Sequence, residues 1–224
     1  MELHFKTVEK MIKEILSASI ESTGFYYFHE YQNTYFRKKE DDSIYQYAIF
    51  GSVAGSRFSL SQQIVNRRVE DIIFEIGLPT IDLTNYDRKK NFLFIVNKND
   101  IEEFNFIELK NKEAIEQFCI KVIDYIENEG EKFFTKYTHL PNILEEINTL
   151  MKEGKYWHQG KIKLGQGYYT GLIVSKLCND PDYENKFEYV KSLYSVSENN
   201  LMAYLPYLEK LKQRLNTVEP LYNI

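Results

Sequence analysis

Residues 111–126 read NKEAIEQFCIKVIDYI, and they mark the point at which the apolar pattern of the chain changes. Asn111 is a favourable helix N-cap, because its short side chain can accept a hydrogen bond from the first turn. The apolar residues that follow recur at spacings of three and four, as on the buried face of a helix: Ile115, Phe118, Cys119, Val122, Ile123 and Ile126. Further helices are predicted near residues 141–151, 166–178, 182–194 and 199–215.

The chain before residue 111 has a different pattern. Residues 3–20 predict one amphipathic helix, and the segments after it are short and rich in aromatic and β-branched residues. Such segments are typical of antiparallel strands: 25–31, 34–38, 44–50, 57–65, 78–83, 92–97 and an edge strand at 104–109. Residues 69–77 fit either a strand or a short helix that ends at Gly77, and we favour the helix.

Strands in one block and helices in another predict an α+β fold, with an N-terminal helix, an antiparallel sheet and an all-helical C-terminal half. The division falls between residues 1–110 and 111–224, which we expect to pack as one continuous unit. We predict one core between the first helix and the sheet, formed by the following residues: Phe5, Ile12, Ile15, Leu16, Phe25, Phe36, Phe50 and Phe58.

Composition restricts the classes of function. Lys and Arg number 28 and Asp and Glu 33, so the net charge of −5 gives no general attraction to nucleic acid or anionic lipid. No apolar run approaches the roughly 18 residues that span a bilayer. We therefore expect a cytoplasmic protein without a membrane or nucleic-acid partner. Cys119 and Cys178 lie in apolar helical patterns, which predicts buried, reduced and unreactive thiols.

The sequence contains no complete motif for catalysis, metal binding or cofactor binding. His4, His29, His139 and His158 lie far apart, without the short ligand spacing of a metal site. The Gly-Gln-Gly stretch at 165–167 lacks the preceding strand of a phosphate-binding loop, and we interpret it as a turn that enters a helix. The sequence therefore predicts no metal and no cofactor.

The strongest charge feature is an acidic strip at residues 100–131. Ten acidic residues face only three lysines there, which gives a net charge of −7. The acidic residues are Asp100, Glu102, Glu103, Glu108, Glu113, Glu116, Asp124, Glu127, Glu129 and Glu131. A solvated surface explains such a strip without any function, whereas long-range attraction of a basic partner is the functional interpretation.

A series of short strings in the first 150 residues carries a resemblance. An amphipathic helix is followed by Gly24-Phe25, Tyr35-Phe36-Arg37-Lys38, Ile44-Tyr45-Gln46, Phe58-Ser59-Leu60 and Arg68-Val69-Glu70-Asp71-Ile72. Over roughly residues 5–150 this order resembles a family of uncharacterised bacterial α+β domains of unknown function. The resemblance implies no catalytic residues, and similar domains are suspected to be immunity proteins encoded beside bacterial toxins.

These observations leave two hypotheses of different kinds. The first is a non-catalytic protein-binding protein, a bacterial immunity protein in its most specific form, that contacts its partner through Glu102, Glu103 and Glu108. The second is an enzyme whose site is assembled from distant residues, lined by His158, Tyr168, Tyr169 and an acidic residue, with an unknown substrate. A deep pocket where titratable groups converge would favour the enzyme.

Overall fold

The computed structural model describes residues 4–28, 33–38, 43–52, 57–81, 86, 93–98, 101–196 and 201–224. The chain forms two units, which we call unit 1 and unit 2. Unit 1 comprises Met1–Ile64 and Asn97–Thr138, and unit 2 comprises Val65–Val96 and His139–Ile224. Unit 1 holds the N-terminal helix and most of the strands, whereas unit 2 is mainly helical.

The strands of the described residues belong to one sheet. Their bounds are β1 (Tyr26–Phe28), β2 (Asn33–Lys38), β3 (Ser43–Ser52), β4 (Arg57–Asn66), β5 (Val96–Lys98), β6 (Ile107–Glu108) and β7 (Lys163–Leu164). The strand order is β1-β2-β3-β4-β5-β7, and β6 pairs with β4. The pairs β1/β2, β2/β3 and β4/β6 are antiparallel. β7 is the one strand that falls in the half predicted to be all helical.

Of the helices in the described residues, all but Glu131–Thr138 lie at or near a predicted position. Their bounds are α1 (Phe5–Ser22), α2 (Arg67–Ile76), α3 (Lys112–Tyr125), α4 (Glu131–Thr138), α5 (Leu140–Lys152), α6 (Tyr168–Leu177), α7 (Tyr183–Val196) and α8 (Leu205–Leu215). Short 3-10 turns lie at Glu102–Phe104, Trp157–Gln159 and Leu201–Tyr204. An N-terminal helix, a sheet and a helical C-terminal half confirm the α+β class.

The helix ends show why these segments are helical. Asn111 Oδ1 accepts a hydrogen bond of 2.8 Å from the amide of Ala114, which confirms the predicted cap of α3. α2 confirms the helix favoured for residues 69–77. It ends at Gly77, whose left-handed backbone (φ 67°) lets its amide donate to the carbonyls of Ile73 and Phe74.

The core of unit 1 lies between α1, α3 and the sheet. α1 buries Val8, Ile12, Leu16 and Ile20 at a spacing of four and packs against α3. The predicted core is confirmed for most of its residues, and the Phe5 ring stacks on that of Phe58 at 5.5 Å. Two predicted core residues, Phe5 and Ile15, are only partly buried.

The predicted burial of Phe50 is wrong. Its side chain is 42% exposed, whereas Tyr47 and Ile49 on the same strand are buried. Ala48, on the same strand face as Phe50, is also buried, so this face becomes exposed only toward the C-terminal end of β3. The Phe50 side chain therefore points out of the core that we assigned to it.

The predicted strand at 78–83 is also wrong over its described part, residues 78–81. Leu78 to Ile81 form a tight turn, in which the Ile81 amide donates to the Leu78 carbonyl at 3.0 Å. Pro79 stands at the second position of this turn, where its fixed φ is favourable. Residues 82–83 of this predicted strand lie outside the described residues.

The helical path continues past Gly130, where the sequence indicates a helix end. α3 passes into α4 through a π-helical turn at Ile126–Gly130. A Cβ at Gly130 would collide with the Tyr47 hydroxyl, so a packing constraint explains this glycine. The fully buried Gln62 donates to the Gly130 carbonyl at 3.1 Å and accepts from the Tyr125 hydroxyl at 2.6 Å. These bonds satisfy a polar side chain in the core.

Both cysteines are free and completely buried, as predicted. Burial, reinforced by Glu116, raises the pKa of the Cys119 thiol to about 12. Burial, reinforced by Asp180, likewise raises the pKa of the Cys178 thiol to about 12. Since the thiolate is the reactive form, both thiols should be unreactive at neutral pH. None of the helices in the described ranges is long and apolar enough to cross a membrane.

Candidate functional site

The acidic strip lies in unit 1 and divides into paired and unpaired carboxylates. Ion pairs with N–O distances of 2.5 to 3.5 Å join Glu108 to Lys110, Glu116 to Lys112, Glu129 to Lys132 and Glu131 to Arg37. Within the part of the chain that the structure describes, no cation pairs with Glu103, Glu113, Asp124 or Glu127. Asp100 lies outside the described residues. The strip therefore exerts less attraction than its formal charge suggests.

The three predicted partner-binding residues lie on one loop, residues 101–109, which we call the acidic loop. Ile101, Phe104 and Leu109 anchor it, with exposed fractions of 6%, 1% and 0%. The ring centroid of Phe104 lies 6.0 Å from that of Phe118 and 5.5 Å from that of Tyr125. These aromatic contacts fix the loop against α3, and β6 fixes its C-terminal end against β4.

The carboxylates of the acidic loop differ in their surroundings. Glu102 begins the 3-10 turn, and its side chain lies outside the described part of the structure. Glu103 is exposed, with no cationic partner among the described residues. Glu108 lies opposite Arg57 in the β4/β6 pair and 3.0 Å from the Lys110 ammonium group. Glu103 therefore presents its charge to solvent, whereas neighbouring cations screen Glu108.

Phe106, at the tip of the acidic loop, has a strained backbone and an exposed ring. Its φ is 55°, in the left-handed region, and its side chain is 66% exposed. The Phe106 amide donates to Ser59 Oγ at 2.9 Å, which helps to hold this conformation. The left-handed region costs a residue with a Cβ roughly 1–2 kcal/mol, and such strain often occurs at functional sites. Our sequence analysis missed Phe106, because no local motif marks a positive φ at an aromatic residue.

The exposed face of α3 also combines carboxylates with an exposed apolar side chain. Glu113, Gln117, Ile120, Asp124 and Glu127 follow one another at spacings of three and four, so they lie on one side of the helical path. Ile120 is 55% exposed in the middle of this row. Phe106 at the acidic loop and Ile120 on α3 are thus two of the exposed large apolar side chains of unit 1, and each has carboxylates nearby in sequence.

Unit 2 contains a cavity of about 370 Å³, which we call the aromatic cavity. It is lined by Trp157, His158, Lys163, Leu164, Gly167 and Tyr168. Two residues of the enzyme hypothesis, His158 and Tyr168, therefore meet at one site. Tyr169 does not line it, because its side chain is buried elsewhere and its hydroxyl donates to the Tyr204 carbonyl at 2.8 Å. The volume falls in the range of small-molecule sites.

Aromatic rings form the walls of the cavity. Trp157 is 2% exposed, and its ring centroid lies 5.0 Å from that of Tyr168 at a tilt of 56°. α6 carries Gly171 next to the indole, where a Cβ would collide with the ring. Burial, reinforced by the neighbouring Tyr189, raises the pKa of Tyr168. Tyr168 therefore stays protonated at neutral pH. It lines the cavity and does not act as a general base.

The turn that closes the cavity is held rigidly. Gln166 and Gly167 both have positive φ, 57° and 55°, and α6 begins directly after them. Gly165 donates to the Ile95 carbonyl at 3.1 Å and accepts a hydrogen bond from Thr170 Oγ1. This geometry confirms the predicted turn and helix entry. The short strand β7 precedes the turn, however, and the sequence analysis did not predict it.

The sequence around the cavity carries only positive charge. Residues 154–179 contain Lys155, Lys161, Lys163 and Lys176 and no Asp or Glu. The ammonium group of Lys155 lies 2.7 Å from a Glu153 carboxylate oxygen, whereas no partner of Lys161 occurs within the described residues. This run is visible in the sequence, and it is the signal that could have directed attention to Lys163 and Trp157. The lining of the cavity is thus mainly aromatic, and Lys163 is the one lysine among the described lining residues.

Comparison with known proteins gives no match: no family model, no curated protein and no solved structure corresponds to the chain. The resemblance to an uncharacterised bacterial domain family stays a prediction. Among the described residues, no group of three His, Cys, Asp or Glu side chains is placed to hold a metal ion. His4 caps α1, and His139 contacts the Tyr222 ring edge-on at 5.0 Å. Function must therefore be argued from the acidic loop and the aromatic cavity.

Proposed function

We propose that the chain is a non-catalytic protein that binds a basic protein partner through the acidic loop. The observation that carries the proposal is Phe106, an aromatic side chain that is 66% exposed on a backbone in the left-handed region. The exposed ring and the strained backbone each raise the free energy of the unbound protein. A partner that buries the ring would recover part of this cost.

The charge around Phe106 supports a basic partner. Glu103 has no cationic partner within the described residues, and Glu108 lies two residues beyond the ring. Binding sites often combine a central aromatic anchor with polar groups at the rim. Rim charges steer the encounter and contribute less to the final affinity. Phe106 should therefore supply most of the binding free energy. The glutamates should mainly increase the association rate.

The resemblance in the sequence gives this proposal its most specific form. Similar bacterial domains are suspected to be immunity proteins, and such a protein would act by occupying the surface of a toxin. The acidic loop is suited to a toxin surface of positive charge. This specific form predicts that the partner is encoded beside the chain and is toxic when produced alone.

The direct test compares two single variants of the full chain. Phe106→Asn removes the ring but tolerates the left-handed backbone, since Asn adopts it more readily than other non-glycine residues. Tyr26→Asn is the matched control, because Tyr26 is another exposed aromatic of unit 1, at 51%. Wild-type protein is immobilised, incubated with extract of its source cells, and the retained protein is identified by mass spectrometry. The Kd of each variant is then measured with that purified protein.

We expect Phe106→Asn to weaken binding by about 30-fold or more, as for an anchor worth at least about 2 kcal/mol. Tyr26→Asn should change the Kd less than about threefold. Equal effects of the two variants would contradict the assignment of Phe106 as the anchor. Retention of no protein by wild type at micromolar concentration would contradict the proposed function as a whole.

A further inference from the structure

We infer that the aromatic cavity binds a small uncharged aromatic molecule that carries a hydroxyl group, with its ring against Trp157 and Tyr168 and its hydroxyl at His158. A phenol is the simplest molecule of this class. The inference does not depend on the acidic loop, because every described lining residue of the cavity belongs to unit 2. It assigns a class of ligand and no reaction.

The walls of the cavity favour a flat ring. The ring centroids of Trp157 and Tyr168 lie 5.0 Å apart at a tilt of 56°, so the two rings offer aromatic surfaces at an angle to each other. Aromatic groups prefer offset or edge-to-face contacts at centroid distances of about 4.5–7 Å. Leu164 adds apolar surface to the lining. A ligand ring in this cavity would therefore exchange water for aromatic and apolar contacts.

Packing inside unit 2 fixes these walls before any ligand binds. A Cβ at Gly171 would collide with the Trp157 ring, so this ring lies directly against the backbone of α6. The Tyr168 ring lies edge-on to those of Tyr189 and Tyr194, at centroid distances of 6.3 and 6.1 Å. A preformed site loses little conformational entropy when a ligand binds. The volume of about 370 Å³ lies at the lower end of the range for small-molecule sites, which suits a ligand with one ring.

His158 offers the polar contact for the hydroxyl group. Its ring stacks on that of Tyr156, with the centroids 5.5 Å apart and the planes inclined by 7°. Stacking covers a face of the imidazole, whereas both nitrogens lie on the ring edge. Within the part of the chain that the structure describes, no group forms a hydrogen bond with either nitrogen. A hydroxyl group both donates and accepts, so it can bond to the imidazole in either protonation state.

The charged groups of the lining favour an uncharged ligand. Lys163 lines the cavity, but it already has an interaction within the protein, so we assign no ligand group to it. The described lining also contains no carboxylate that would hold a cation. A charged ligand would lose hydration among aromatic rings without a counter-charge of its own, whereas a hydroxyl group needs only a hydrogen bond.

Trp157 offers a direct readout, because it is the single tryptophan of the chain. We would titrate the full chain with p-cresol and follow tryptophan emission excited at wavelengths where the ligand does not absorb. Toluene is the control without the hydroxyl group, and 4-methylcyclohexanol is the control without the aromatic ring. The charged controls are 4-methylbenzoate and 4-methylbenzylamine. Saturation-transfer NMR of each ligand provides a second measurement that does not depend on a change in emission.

We expect p-cresol to bind saturably with a Kd of about 1 mM or tighter, and each control ligand to bind at least about threefold more weakly. His158→Phe keeps a flat ring beside Tyr156 but removes both nitrogens, so it should weaken p-cresol at least about threefold. His139→Phe is the matched control, since His139 is an exposed histidine of unit 2 that does not line the cavity. It should change the Kd less than about 1.5-fold.

Three results would overturn the inference. One is the absence of saturable p-cresol binding in both measurements. Another is binding of any control ligand as tight as that of p-cresol, which would contradict the assigned ring, hydroxyl group or lack of charge. The third is equal weakening by His158→Phe and His139→Phe, which would remove His158 from the site.

Thermal unfolding shows whether each variant is folded, and the ligand series with wild type decides the ligand class even if a variant is not. Phe106→Asn should leave the p-cresol Kd unchanged, because Phe106 belongs to unit 1. Failure of the cavity as a binding site is therefore distinct from failure of the proposed protein binding.

Discussion

The acidic loop of unit 1 and the aromatic cavity of unit 2 lie in units whose ion pairs are built differently. The ion pair of the loop is exposed: the side chains of Glu108 and Lys110 are 47% and 59% accessible. Unit 2 instead contains a buried pair, in which Lys186 Nζ lies 2.8 Å from Asp180 Oδ2 and both side chains are at least 96% buried. This pair joins the end of α6 to α7, the helix that carries Tyr189.

The comparison shows that two ion pairs with similar distances contribute unequally to stability. Burial acts to raise the pKa of Asp180, but hydrogen bonds from Lys186, Ser175 and the Asp182 amide outweigh it, and the pKa is lowered. Asp180 therefore stays ionised inside the protein. An exposed pair contributes about 0–1 kcal/mol, whereas loss of one partner of a buried pair costs about 3–5 kcal/mol. The buried pair of unit 2 is the one that stability depends on.

The largest expected effect is that of Lys186→Met. The methionine fills similar space but leaves the Asp180 carboxylate buried without its cation, so the free energy of unfolding should fall by about 3–5 kcal/mol. Lys110→Met removes the cation of the exposed pair in the acidic loop and should cost less than about 1 kcal/mol. Urea unfolding at pH 7 measures both losses, and similar losses for the two variants would show that burial does not separate the two pairs.

Stability at alkaline pH provides the next comparison, because unit 1 and unit 2 each contain one buried thiol. Cys119 lies on α3 and Cys178 at the end of α6, and the pKa of each rises from 9.0 to about 12 on folding. A raised pKa means that the folded state holds the proton more tightly. Its contribution to stability is complete below about pH 9 and is lost between pH 9 and 12, by about 1.4 kcal/mol per pH unit and per thiol.

Cys119→Ala and Cys178→Ala should therefore each flatten the fall of stability above pH 9. Unfolding by urea at pH 7, 8, 9 and 10 measures the slope. The change in the free energy of unfolding between pH 7 and 8 serves as the internal control. It should be the same in the variants and in wild type, because both thiols stay largely protonated there in the folded and the unfolded chain. A variant whose slope above pH 9 equals that of wild type would contradict the burial of that thiol.

Much of the fold could be predicted because the helices and long strands carry regular patterns. The Asn111 cap, the stripe of α1 and the Gly77 stop are local signals, and each corresponds to an observed hydrogen bond or buried face. Phe50 was misplaced because both faces of β3 are buried up to Ile49, and the sequence does not show where along the strand that burial ends. Leu78 was misread because its apolar neighbours outweighed the turn signal of Pro79.

The candidate sites were harder to predict than the fold. The glutamates of the acidic loop were found from charge alone, but the ring of Phe106 depends on a backbone angle that composition does not reveal. His158 and Tyr168 were named, whereas Lys163 was not, because its place in the wall depends on the fold of β7 against the turn at 165–167. Sites assembled from turns require the tertiary structure, since no periodic pattern marks them.

The strain at Phe106 can be measured without any partner. Phe106→Ala keeps a Cβ in the left-handed region, whereas Phe106→Asn places there a residue that tolerates it. The Asn variant should therefore be more stable than the Ala variant by about 0.5–1 kcal/mol in urea unfolding. Equal stability of the two variants would mean that the tip of the loop relaxes its backbone, and the free-energy argument for a strained binding loop would lose its basis.

The smallest expected effect on stability concerns the carboxylates of the acidic loop. Replacing Glu102, Glu103 and Glu108 together with Gln should change the free energy of unfolding by less than about 0.5 kcal/mol for each of the two positions known to be exposed, Glu103 and Glu108. The same replacement should slow association with the basic partner several-fold at low salt, because rim charges act mainly on the encounter. Stopped-flow association rates across a salt series measure this effect. The difference from wild type should shrink as salt rises, since exposed charges are screened over about 8 Å at physiological ionic strength.

The matched control changes the net charge by the same amount in unit 2. Glu145, Glu188 and Glu219 are exposed there, and their joint replacement with Gln keeps the acidic loop intact. If local steering by the loop sets the rate, this control should slow association much less than the loop variant does. Equal slowing by both triple variants would mean that overall charge attracts the partner. An association rate that depends on neither variant nor on salt would remove the acidic loop from the encounter and leave its glutamates as an ordinary solvated surface.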